Sequence, residues 1–118
     1  MDAKKWEKKI KSQCEMAETM RDEFIPVIHS LAVILEERDR TYDEYVKTGA
    51  QPVVVRISDR GALNSAKNPL LVLWMDLNTQ ALQYWRDLGL TPAGLKRINE
   101  NGLAKKKKNP LMEALKDL

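Results

Sequence analysis

The sequence predicts a mainly α fold: a helical oligomerising domain with one short extended segment near residues 52–57 and a short terminal helix. Three observations carry that reading. Apolar residues recur at three- and four-residue spacing over long stretches, which is the period of a helix face. Asn68-Pro69, Thr91-Pro92 and Asn109-Pro110 each place a capping side chain before a proline, the usual opening of a helix. Glycine and proline number only five each in 118 residues, and there is only one β-branched run, so a turn-rich sheet protein is excluded.

The first helix is expected at about residues 4–17. Trp6, Ile10, Cys14 and Ala17 share one face, and lysines occupy the others. A second helix is expected at about 20–47, with Thr19 as its cap and Asp22 and Glu23 in the first turn, where the helix dipole favours anions. Phe24, Ile28, Leu31, Leu35, Tyr42 and Tyr45 continue along one face, flanked by Ile25, Ala32 and Val46. Pro26 disfavours helical geometry at Ile25, so the first turn should be irregular. Gly49 ends the helix.

Pro52-Val53-Val54-Val55-Arg56-Ile57 reads as one extended segment, and Ser58-Asp59-Arg60-Gly61 as a turn. Residues 62–67 show little pattern. A lone strand is not stable in water. The segment must therefore pair with Ala62-Leu63-Asn64, pair with another subunit, or lie flat on the helices; the sequence leaves all three open.

The stretch from Lys67 to Ile98 reads as the organising core. A third helix at 69–88 carries Leu70, Trp74, Leu77, Ala81, Tyr84 and Leu88 at heptad spacing, widened by Leu71, Leu73, Leu82 and Trp85. So wide a stripe fits a helix packed on two sides in its own domain, or one shared with a neighbouring subunit. Gly89 fits the left-handed closing position, with Leu90 folding back on Trp85. Thr91-Pro92 then opens a fourth helix at 92–99. Residues 1–104 form a single helical domain in this reading. Residues 105–118 are a basic linker, extended by the mutual repulsion of Lys105, Lys106, Lys107 and Lys108, and a short helix with Leu111, Leu115 and Leu118 on one face. A helix of about nine residues is marginal alone, so it needs something to dock on: its own core or a partner.

A composition of 43% hydrophobic and 31% charged residues is that of a globular chain, not a disordered one. No apolar run approaches the ~20 residues needed to cross a bilayer. The opening Met1-Asp2-Ala3-Lys4-Lys5 leads into a charged helix, not a secretory signal. Cys14 is the single cysteine, which excludes an internal disulfide and suggests a small buried side chain. These features together suggest a soluble intracellular protein. The net charge of +3 is unevenly spread. Basic ends surround an acidic middle from Glu15 to Glu44, an arrangement suited to a polyanion or to head-to-tail association of copies.

Catalytic chemistry finds no support. His29 is the only histidine, and one histidine with one cysteine makes no metal-ligand set. There is no G-x-x-x-x-G-K-[ST] phosphate loop and no G-x-S-x-G nucleophile turn. Glu36, Glu37, Asp39, Asp43 and Glu44 sit beside Arg38 and Arg40 at helical spacing, as on a solvated face. No catalytic residue, metal or cofactor is expected, and the chain reads as a binding protein.

Lys67-Asn68-Pro69, the long helix with Trp85, and Leu88-Gly89-Leu90-Thr91-Pro92-Ala93-Gly94-Leu95-Lys96-Arg97-Ile98 together resemble the phage terminase small subunits, as does the upstream stretch from Phe24 to Ala32. The resemblance runs from about Trp6 to Ile98. It implies a non-enzymatic protein that forms rings and recognises the packaging site on concatemeric double-stranded viral DNA. It also implies delivery of that DNA to the large terminase subunit, which holds the ATPase and nuclease, in the cytoplasm of the infected bacterial host. No membrane role is implied. DNA contacts are assigned on charge alone, to Lys4, Lys5, Lys8, Lys9, Lys11, Lys96, Arg97 and Lys105 to Lys108. The subunit interface is expected at Phe24, Ile28, Leu31, Leu35, Leu70, Trp74, Leu77, Tyr84 and Trp85, and partner docking at Leu111, Leu115 and Leu118. Two other classes compete: a helical oligomeric adaptor or scaffold that binds only protein, and a small DNA-binding regulator.

Overall fold

A computed structural model describes residues 1–100 of the chain. Asp2 accepts a hydrogen bond from Lys5 N at 2.9 Å and opens helix α1, Ala3–Met16. A single 3-10 turn at Asp22–Phe24 leads into helix α2, Ile25–Lys47, with Pro26 in its first turn. The irregular entry predicted from Pro26 is this 3-10 turn. Strands β1, Val53–Ile57, and β2, Leu63–Lys67, form an antiparallel hairpin. Helices α3, Pro69–Asp87, and α4, Pro92–Glu100, complete the described chain. The mainly α class is therefore correct, and the helix limits lie within a few residues of those read from sequence. The short helix predicted at the extreme C-terminus lies outside the described residues.

Thr19 does not cap the second helix. Thr19 N donates to Cys14 O at 2.9 Å and Glu18 N to Glu15 O at 3.1 Å, which closes the end of α1. Its hydroxyl also points back, donating to Cys14 O at 3.4 Å, and the side chain is buried. The chain has to finish one helix before starting the next, and Thr19 is spent on the finish.

The extended segment takes the first of its three possible partners, and takes more of it. Val53 lies opposite Lys67, Val55 opposite Ser65, and Ile57 opposite Leu63. Ser58 N donates to Ala62 O at 2.8 Å across the turn. Residues 63–67 looked featureless because Asn64, Ser65 and Lys67 carry no apolar alternation; their strand geometry comes from the backbone ladder. Asn68 then ties the hairpin to α3. Its backbone N donates to Pro52 O at 2.8 Å, its Nδ2 donates to Gln51 O at 2.9 Å, and its Oδ1 accepts from Leu70 N at 3.0 Å.

The core is organised around α2, not around the 67–98 stretch. Ile28, Leu31, Ala32, Leu35, Thr41 and Tyr45 are buried along α2, whereas α3 buries only Ala81 within its span. α2 packs on both α1 and α3, with Ile10 and Cys14 from one side and Ala81 and Leu88 from the other. α3 has the greater apolar content, but along most of its length only α2 covers it and the short α4 meets its last turn, so most of its apolar residues stay half-exposed. Among the described residues no helix is long and apolar enough to cross a membrane.

Candidate nucleic-acid interface

α1 turns Ile10 and Cys14 inward and Trp6 partly inward. With 3.6 residues per turn, that orientation sends Lys4, Lys8 and Lys11 along one outer line, with Lys5 beside it. Lys4, Lys5 and Lys8 are exposed and Lys11 is half-buried. None of the four pairs with a carboxylate among the described residues. The result is a ribbon of unneutralised charge on a rigid helix, spaced along about 10 Å of axis at 1.5 Å per residue.

Lys9 belongs elsewhere. Its ammonium sits 5.2 Å from the centre of the Trp6 ring, and the Arg38 guanidinium lies 5.4 Å from the same ring. Trp6 Nε1 donates to Asp39 Oδ2 at 2.9 Å. Arg38 donates to Asp39 Oδ1 through Nη2 at 3.0 Å, and the Met1 ammonium lies 3.5 Å from Oδ2. Burial raises the Asp39 carboxyl pKa, but the Trp6 and Arg38 hydrogen bonds and the nearby positive charges outweigh it, so the group sits below the ordinary aspartate range. Ala3 N donates to Glu36 Oε2 at 3.0 Å. The acidic stretch of α2 is thus not simply a solvated face: Glu36 and Asp39 anchor the start of α1 and fix the direction of its lysine ribbon.

Lys96 and Arg97 are exposed on α4. Lys96 lies 3.9 Å from Glu100, so part of its charge is already balanced. α4 packs on α3. Lys105 to Lys108 lie outside the described residues, as do Leu111, Leu115 and Leu118. Cys14 is fully buried, and that burial raises its thiol pKa, which fits a packing role. His29 is exposed and pairs with Glu7 on α1. Among the described residues no histidine, cysteine and carboxylate cluster could hold a metal ion.

The residues expected at a subunit interface separate into two groups. Ile28, Leu31 and Leu35 are 0–1% exposed inside the chain's own core, which leaves no surface for a second copy. Their face is spent on α1 and α3. Phe24, Leu70, Trp74, Leu77, Tyr84 and Trp85 are half-buried and keep surface at the edge of that core. Trp74 packs against Tyr42 in a tilted arrangement, with ring centres 5.5 Å apart. Two further exposed apolar surfaces were not among the residues assigned to the interface, although a second subunit was one of the partners open to the 52–57 segment and Leu82 was read as widening the α3 stripe. These are the hairpin face of Val53, Val55, Ile57 and Leu63, and the outer side of α3 at Val72, Met75 and Leu82. The alternation at Val53, Val55 and Ile57 was the available signal for the first of them.

A family model described as phage terminase, small subunit, matches residues 3–105. No curated protein and no solved structure matches the chain.

Proposed function

Because the chain belongs to the phage terminase small-subunit family, and so to the machinery of phage DNA packaging, we propose that it binds the packaging site on concatemeric viral DNA as an oligomeric ring. In this reading it recruits the large subunit and regulates that subunit's ATPase and nuclease, without catalysis of its own, in the cytoplasm of the infected host. The observation that supports DNA contact is the unpaired ribbon of Lys4, Lys5, Lys8 and Lys11 on a helix held rigidly by Asp39 and Glu36. Copies around a ring multiply that ribbon. Lys9, Lys96, Arg97 and Lys105 to Lys108 add positive charge to the same polyanion.

Each phosphate neutralised contributes about −0.9 to the slope of log K against log salt. Binding of duplex DNA should therefore weaken steeply with salt. Reversing Lys4, Lys8 and Lys11 to glutamate should weaken binding to all sequences about equally and flatten the slope. A reversed chain that binds as tightly as the parent would exclude α1 as the DNA contact. The tail carries a separate part of the proposal: Leu111, Leu115 and Leu118 anchor it on the large subunit. Deleting residues 109–118 should leave the oligomer and most DNA binding in place and abolish stimulation of the large subunit. Collapse of the oligomer would instead make the tail part of the subunit interface.

A further inference from the structure

The hairpin is the part of the described chain least supported by its own fold. Residues directly opposite each other in an antiparallel pair project to the same face. Val53, Val55, Ile57 and Leu63 therefore share one face of the ribbon, with Lys67 at its base. They are 51%, 67%, 74% and 73% exposed. The two strands pack chiefly on each other. A two-stranded ribbon is marginal in water without a third layer, and apolar patches beyond a few hundred Å² mark interaction sites.

A second uncovered apolar surface lies on α3. Val72, Met75 and Leu82 are 39%, 56% and 47% exposed, and their spacing places them on one side, turned away from α2, with uncharged Thr79 between. Asp76 borders this stripe and is exposed, with no cation paired to it among the described residues. Lys67 at the hairpin base likewise has no carboxylate partner among the described residues. The two surfaces match in character: each carries aliphatic side chains around one hydroxyl, Ser65 on the hairpin and Thr79 on α3, with Lys67 at the rim of the first and Asp76 at the N-terminal rim of the second, whose far end is Arg86. The short path from β2 through the buried Asn68 into α3 fixes the ribbon at the N-terminal end of that helix.

We propose that the hairpin face of one copy packs over the Val72–Met75–Leu82 stripe of the next, with Lys67 facing Asp76. This deepens the ring reading and rests on it. The contact joins two different patches, so it is heterologous, and repeated contacts of that kind generate a ring when the rotation closes. A second copy is favoured over DNA as the occupant because the exposed face presents four aliphatic side chains and only one cation. DNA contact would need that proportion reversed.

The test uses full-length chains carrying Leu63→Cys or Met75→Cys, purified separately, mixed with subunit exchange and treated with a short bis-maleimide. Cys14 is buried and leaves the engineered thiols as the reactive ones. The expected result is a cross-linked heterodimer in the mixture and no cross-link in either chain alone. Dimers of the Leu63→Cys chain alone would replace the proposal with hairpin-to-hairpin packing. An intact oligomer by native mass spectrometry with no cross-link would overturn the hairpin contact and leave the ring standing. A monomeric parent would remove both. Ile57→Glu with Leu63→Glu supplies a second readout. At these exposed positions the helical circular dichroism should persist while oligomer dissociation rises at least tenfold. Unchanged oligomer mass at low micromolar concentration would contradict the contact.

Discussion

Gly94 shows how one residue fixes the end of this fold. A Cβ built there would collide with the backbone carbonyl of Arg86, so α4 lies directly on the last turn of α3. Backbone cannot move aside as a side chain tip can. Gly94→Ala should lower unfolding stability by on the order of 2 kcal/mol in urea titration. Gly89 holds φ at +75° and closes α3, with Leu90 N donating to Trp85 O at 2.9 Å. Glu18 holds the equivalent position after α1 at φ +58°, without the freedom of glycine. Glu18→Gly should therefore raise stability by about 0.5–1 kcal/mol, and a fall in the urea midpoint would contradict that. Asp39 sets an acid limit. Its folded carboxyl titrates below its unfolded range of about 4, so its contribution is present above that range and is lost as pH falls through the folded value. The urea midpoint should drop between pH 6 and pH 3, and Asp39→Asn should lower it at pH 6 while flattening that drop.

At the scale of elements, α1 and α3 divide the work. α1 spends one face on the core and leaves its lysines outward, whereas α3 spends one face on α2 and leaves an apolar side outward. Reversing the outward charges should alter DNA binding without altering helicity. The converse holds for Val72→Glu with Met75→Glu, which should leave the monomer helical and weaken association, as read by sedimentation. The helices were legible in the sequence because cap, proline and heptad spacing coincide at Asn68-Pro69 and Thr91-Pro92, and Gly89 closes α3 as read. The second strand was not legible, since Leu63 to Lys67 takes its shape from hydrogen bonds with β1 and not from its own side chains. Nor was the central place of α2. Its apolar content is lower than that of α3, and only the three-helix packing reveals which stripe is covered on both sides.

The whole molecule combines a small internal core with apolar surface that the described chain does not cover. Ile28, Leu31 and Leu35 read as interface residues because a periodic stripe looks the same whether it meets its own chain or another. Packing assigns them to the core and leaves the outer stripe of α3 and one face of the hairpin exposed. The lysines proposed to contact DNA were visible as a run of charge, but their alignment depends on the anchoring of α1 by Glu36 and Asp39, 33 residues away in sequence. Native mass spectrometry of the full-length chain, alone and with duplex DNA carrying the packaging site, tests the ring and the DNA contact in one measurement. A single closed oligomer that gains the mass of one duplex, and loses it as salt rises, is the predicted spectrum. A folded monomer at micromolar concentration that leaves the duplex unbound would contradict it.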